Sequence, residues 1–290
     1  MEATVPEYKL GQAVKFGFYG IVSWIGLIVF TFVLSGLGYL IGAAGSVFAA
    51  AFTANALSIR VFERLPITAV GLGWHACSRR NLFLGIGLGA LAASLVTLVP
   101  LALGMAEMQP DPDNPGGAAT FLFVTLVLLF GAIGEELLFR GYGFQILVRL
   151  IGPVGSLLAT ALLFGYVHMQ NLNSTPLGIA NTAGFGVVLG YAFLRTGELW
   201  LPIGIHFGWN WILPIAGVQV SGFKIGVTGY ALHWKVADVW SGGAYGPEAS
   251  ALTCGIVVAL LAALKFMPLA RTEAALLVAP DPPDQSPREA

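Results

Sequence analysis

The chain is short of charge. Only 10% of its 290 residues are Asp, Glu, Lys or Arg, while 57% are hydrophobic; water-soluble domains carry roughly a quarter charged residues. So few charges cannot cover a protein of this length in water, so the bilayer must be its solvent. Neither sign is in excess: 14 basic and 15 acidic residues leave a net charge of −1, and nothing suggests nucleic acid as a partner. Cysteine is nearly absent. Cys77, in a basic loop, and Cys254, in an apolar run, are too few for a disulfide framework and are read as unpaired thiols. The opening residues MEATVPEYKLGQAVKF lack an early basic cluster and a small-residue cleavage site. A retained first span is expected there rather than a cleaved signal peptide. No internal repeat is visible, which weakens a transporter reading.

What the chain has is long uncharged runs. Between Lys15 and Arg60 lie 44 uncharged residues, a helix of roughly 66 Å if continuous, about twice the hydrocarbon thickness. A helical hairpin broken near Ser35–Gly38 is expected instead. Further spans are expected at 82–104, 118–140, 154–170, 176–194, 199–216 and 250–267. The fold class is therefore an all-α, polytopic membrane bundle of about eight transmembrane helices, since helices satisfy every backbone group within the segment. Arg60, Arg64, Arg79, Arg80, Arg149, Arg195, Lys265 and Arg271 fall on one side of these spans, and Glu107, Asp111 and Asp113 on the other. The basic side is the cytoplasmic one, with both termini there. Lys224 and Lys235, in the loop 217–249, are the exceptions. The expected division is a transmembrane catalytic domain over 1–267, with its motif-bearing core at 118–216, and a polar, proline-rich cytoplasmic tail over 268–290.

Ionisable residues inside spans mark function by default, because lipid makes them costly. Here they are Glu135, Glu136 and Arg140 in GAIGEELLFRGYG, His168 in LLFGYVHMQN, and His206, with Asn210 beside it, in GIHFGWNW. His75 and His233 fall in loops and are read as solvated. Glu136 and Arg140 stand four apart with the acid first, the favourable order for an ion pair. Glu135, rotated about 100° away, is left free to act. A surface salt bridge at a helix end is the competing account of these three. Glu135 and His168 are equidistant from the turn signal Gly152–Pro153, so an antiparallel hairpin brings them level. A carboxylate and an imidazole so paired can hold a water and share its proton. His206 and Asn210, four apart, lie on one face and can both donate toward a developing oxyanion. They could equally serve interhelical hydrogen bonding.

Together these residues resemble the CAAX prenyl protease and bacteriocin-processing family of intramembrane proteases, also called the abortive-infection family. Its pattern of EExxxR, FxxxH and HxxxN is met by Glu135-Glu136 with Arg140, Phe164 with His168, and His206 with Asn210. The resemblance covers about 118–216. It implies an intramembrane endopeptidase in which Glu135 is the general base and His168 helps position the water. His206 and Asn210 stabilise the oxyanion, and Glu136 and Arg140 hold the site together. No cofactor is favoured. Zinc is the alternative, held by Glu135, His168 and His206, but no HExxH is present and Asn210 is a poor ligand. The partners implied are a membrane-associated peptide or protein substrate and the lipid bilayer.

The runner-up is a non-proteolytic scaffold or bacteriocin-immunity protein that keeps the fold, with a small-solute transporter third. An Ala- and Gly-rich composition hints at a prokaryotic cell membrane. The loop 217–249 is long for a connection and rich in Gly, Trp and Tyr, so it is expected to cover the outer face and limit substrate access. A passive interfacial flap is the alternative.

Overall fold

The computed structural model describes residues 5–277. Its first two helices are the expected hairpin: α1 (Val5–Leu34) and α2 (Tyr39–Ser58) flank a single 3-10 turn at Ser35–Leu37. Then come α3 (Ala76–Ala102), α4 (Ala118–Arg140), α5 (Tyr142–Val167), α6 (Pro176–Thr196), α7 (Trp200–Ile215), the one-turn α8 (Asp238–Ser241) and α9 (Ala251–Phe266). Without α8 these are eight long helices, at the positions the uncharged runs mark. Among the described residues, five stretches are apolar and long enough to cross a membrane, one of them the 53-residue Ala118–Gln170 that contains both α4 and α5. Large apolar side chains such as Phe32, Leu98 and Leu162 are exposed along them. That surface suits lipid, as an integral membrane protein requires.

α5 is longer than the span expected at 154–170. The chain breaks twice between Glu135 and His168, at Gly141 and at Gly152. Asn55 bridges the first break, accepting the Tyr142 N–H at 2.6 Å and donating to the Leu137 carbonyl at 3.0 Å. At the second, Gly152 takes φ 79°, a conformation open to glycine and costly for other residues, just before Pro153. The intervening residues 142–147 are buried against Tyr19, Val70 and Phe193.

α7, which carries His206 and Asn210, is held by backbone contact with α3. Gly85 and Gly89 of α3 meet Gly204 and Gly208 of α7 so closely that a Cβ on Gly208 would sit 2.3 Å from the Ile86 carbonyl oxygen, and one on Gly89 2.1 Å from that of Ile205. Small residues four apart let two helices approach this way in lipid, where dispersion and weak C–H···O contacts replace a hydrophobic driving force.

Two features depart from a purely helical reading. Ala106–Pro110 (β1) and Tyr230–Trp234 (β2) pair antiparallel, Ala106 opposite Trp234 and Pro110 opposite Tyr230. Two lysines reinforce this clasp: Lys235 bonds to Glu107, and Lys224 to Asp111 at 2.7 Å. These hydrogen bonds hold both carboxyls below their ordinary range. The two lysines that broke the charge asymmetry are therefore neutralised by the acids of the loop before α4. The second feature is the start of the expected solvated tail. Residues 268–277 return to the bundle, with the Thr272 N–H on the Thr196 carbonyl at 2.8 Å and Ala274 and Leu276 buried. Hydrophobic burial against Val70 and Leu199 accounts for it. The rest of that tail, 278–290, lies outside the described residues.

Gly208→Ala should lower thermal stability in detergent by about 2–4 kcal/mol, because its methyl has no room. Gly87→Ala, whose Cβ meets nothing within 4 Å, is the control and should be neutral. An unchanged melting temperature for Gly208→Ala would show that the seam yields freely.

Candidate active site

Four of the motif residues converge on one point. Glu135 Oε2 stands 3.8 Å from His168 Nε2 and 3.9 Å from His206 Nε2. The register is the antiparallel one expected about Gly152. Four residues along α4 and four back along α5, the rings of Phe139 and Phe164 meet edge to face at 5.0 Å. Asn210, one turn beyond His206, lines the same cavity of about 390 Å³ as Glu135, His168 and His206.

Beneath them lies the ion pair. Arg140 and Glu136 are both fully buried, 3.0 Å apart, which excludes the surface salt bridge. The same Glu136 oxygen takes His206 Nδ1 at 2.9 Å, and the second Arg140 nitrogen donates to the Gly186 carbonyl at 3.0 Å. One cluster thus ties α4 to α6 and α7. Phe164 fills the space among these groups: its ring lies 4.5 Å from that of His168, 6.1 Å from that of His206 and 4.8 Å from the guanidinium carbon of Arg140. The guanidinium over a ring face adds cation–π attraction in a dry setting.

Hydrogen bonding sets the histidine tautomers. His168 Nδ1 lies 2.7 Å from the Phe164 carbonyl oxygen, which can only accept, so Nδ1 carries a proton and, in the neutral ring, Nε2 presents a lone pair toward Glu135. His206 Nδ1 likewise donates to the Glu136 carboxylate, so its Nε2 donates only when the ring holds both protons. Glu135 Oε2 is itself buried without a hydrogen-bond partner among the described residues.

Two imidazoles and a carboxylate are donor types zinc accepts. Ligands about 2.0–2.1 Å from a tetrahedral zinc stand roughly 3.4 Å apart, and Glu135 lies 3.8 and 3.9 Å from its neighbours. Among the described residues no group of three or more His, Cys, Asp or Glu is set to hold a metal.

The remaining histidines, His75 and His233, are exposed, and both cysteines are free. Sequence reasoning missed Glu248, which lines the cavity from the turn before α9. It also missed the buried Asn55 and Tyr19, whose side chains hydrogen-bond the last carbonyls of α4. Uncharged polar residues inside spans are the signal that would have found these two; Glu248 has no spacing signal.

Glu136→Ala and Arg140→Ala should each cost about 3–5 kcal/mol by stranding the partner's charge. The double variant should cost less than their sum, read from detergent melting curves. Strict additivity would mean the two groups do not act as a pair.

No curated protein and no solved structure matches the chain. A family model does, over 117–212, a third of the chain and the stretch that carries all three motifs. Residues 117–212 match the model of the Rce1-like family, type II CAAX prenyl endopeptidases.

Proposed function

We propose that the protein is an intramembrane endopeptidase that hydrolyses a membrane-associated peptide with Glu135 as general base. The observation that carries this reading is the approach of Glu135 Oε2 to the lone pair of His168 Nε2 at 3.8 Å. Two acceptors at that separation are what one water molecule, with two hydrogens to donate, bridges. Its oxygen lone pair is then free to attack. Glu135 takes one proton as the water oxygen bonds to the carbonyl carbon. The oxyanion receives hydrogen bonds from Asn210 and from His206 Nε2–H, the ring carrying both protons. On collapse the C–N bond breaks and Glu135 returns its proton to the leaving nitrogen.

Charge balance supports the doubly protonated His206. With Glu135 and Glu136 ionised, Arg140 and a cationic His206 bring the cluster to zero, the state a low-dielectric interior tolerates best. No step of this course needs zinc. Leu40, Ala43 and Val47 of α2 with Val127 and Leu128 of α4 give the cavity an apolar wall that suits a substrate arriving from the bilayer. We assign the arginine-rich face to the cytoplasm. Lys15, near the start of α1, bonds Glu63 at 2.7 Å and Thr272 binds Thr196, so both ends of the described chain lie on that face. Val220, Ser221, Phe223 and Ile225 of the loop 217–249 line the cavity, which favours a role in substrate access over a passive flap.

Glu135→Ala should abolish peptide cleavage in detergent, a loss of at least about 10³-fold, while the melting temperature stays near that of the wild type. Cleavage retained by this variant would sink the mechanism; a wild type that cleaves no peptide would favour the non-proteolytic scaffold. Purified protein should hold far less than one zinc per chain and keep its activity in chelator. Stoichiometric zinc lost on His168→Ala or His206→Ala would overturn the metal-free course.

A further inference from the structure

Glu248 is a carboxylate that the proposed chemistry does not use. It stands in the single 3-10 turn Pro247–Ala249, is 8% exposed, and lines the cavity shared by Glu135, His168, His206 and Asn210. Both of its oxygens are engaged. Trp209 Nε1–H donates to Oε1 at 3.2 Å and the Ser221 hydroxyl to the same oxygen at 3.4 Å, while the Ser221 backbone N–H donates to Oε2. Glu135 Oε2, by contrast, has no hydrogen-bond partner among the described residues. A carboxylate engaged by three protein donors holds those donors in place, and one left open is available to a water.

What Glu248 holds is the tip of the loop 217–249. Val220 and Phe223 exchange two backbone hydrogen bonds of 2.9 Å across Ser221 and Gly222. The φ angles of these two central residues, 49° and 87°, are those of a type I′ turn. That conformation is costly at Ser221, which carries a Cβ. The two bonds use only Val220 and Phe223, so the N–H groups of Ser221 and Gly222 need acceptors elsewhere. Gly222 finds the Tyr245 carbonyl at 2.9 Å and Ser221 finds Glu248. Trp209 directly precedes Asn210 on α7, so the same carboxylate ties the tip to the helix that carries His206 and Asn210.

The tip forms the end of the cavity away from Glu135. Gly134 lies level with Phe48 of α2, since a Cβ on it would sit 2.7 Å from the Phe48 Cα. Tyr39 comes nine residues earlier on α2, about 13 Å along the helix. There its ring meets that of Phe223 at 5.2 Å, and both rings line the cavity. A bound peptide, extended at about 3.4 Å per residue, reaches this rim about four residues from the bond that is cut. Contacts so remote are alike before and during the reaction, so they act on binding and not on the chemical step. Resting on the peptidase reading above, we infer that Glu248 is a positioning residue for substrate binding. By holding the Ser221–Gly222 turn against Trp209 it places Phe223 at the rim, where the ring receives the arm of the peptide remote from the scissile bond.

The test compares full-length wild type, Glu248→Gln and Phe223→Ala in detergent on a quenched fluorogenic, apolar peptide of about twelve residues, long enough to reach the rim from either side of the cut. A glutamine offers one oxygen to donors that met two, so the turn should loosen. Amide exchange over residues 220–223, followed by mass spectrometry, should quicken about tenfold in Glu248→Gln. KM should rise about tenfold while kcat stays within about twofold. Phe223→Ala should raise KM alike, and it reads the wall even if Glu248→Gln fails to fold. The double variant should add little to either single change, since both act through one ring. Unchanged exchange in Glu248→Gln, a loss confined to kcat, an unchanged KM in Phe223→Ala, or KM effects that multiply in the double variant overturns the inference. Exchange is read without cleavage. A wild type that cleaves no peptide, beside quickened exchange in Glu248→Gln, supports the anchoring of the turn and counts against the protease reading alone.

Discussion

A carboxylate and a guanidinium with no exposure at all, Glu136 and Arg140, face each other one helical turn apart on α4. In the interior of a membrane protein neither could stay charged alone, and each is tolerated because the other is there. The pair also reaches outward, to His206 on α7 and to the Gly186 carbonyl on α6. Three helices are thereby fixed relative to one another at the depth of the cavity. The proton on His206 Nδ1 is assigned by the same contact, and the ring's other nitrogen is aimed at Glu135. A stability element and the geometry of the proposed chemistry are one hydrogen-bonded cluster.

The helices arrive there through two kinds of support. α7 is pressed on α3 along four glycines, a contact without side chains that leaves no slack for sliding. α4 is anchored at its far end by polar side chains, where Tyr19 and Asn55 bind the carbonyls released by the break at Gly141. In lipid those carbonyls have no water to turn to, so a break in a helix must be met by a partner. The first support sets how deep His206 and Asn210 sit, and the second where Glu135 points.

The segment between α7 and α9 belongs to the cavity as much as the helices do. It is clasped by β-pairing and two lysine–carboxylate bonds to the chain before α4. It supplies Val220, Ser221, Phe223 and Ile225 to the wall, and Glu248 at its end bonds back to Ser221 and Trp209. The side facing lipid is apolar and the loop side carries a carboxylate. The cavity thus offers two different chemistries along its length.

The positions of the long helices were readable in the amino-acid order because lipid demands runs of uncharged residues of about twenty. The turn at Gly152 and the pairing of Glu136 with Arg140 followed from backbone freedom and helical period, both local properties. So did the level of Glu135 and His168, since two antiparallel helices share one register, which the Phe139–Phe164 contact repeats. Other features needed three dimensions. The break at Gly141 depends on Asn55, 87 residues away in sequence, and no local pattern announces such a cap. The tautomer of His206 depends on Glu136 across a helix interface, Glu248 enters the cavity from a loop, and Lys224 and Lys235 find their acids through a strand pairing. Each is set by which surfaces meet, and that is decided by packing at long range rather than by the period of any one segment.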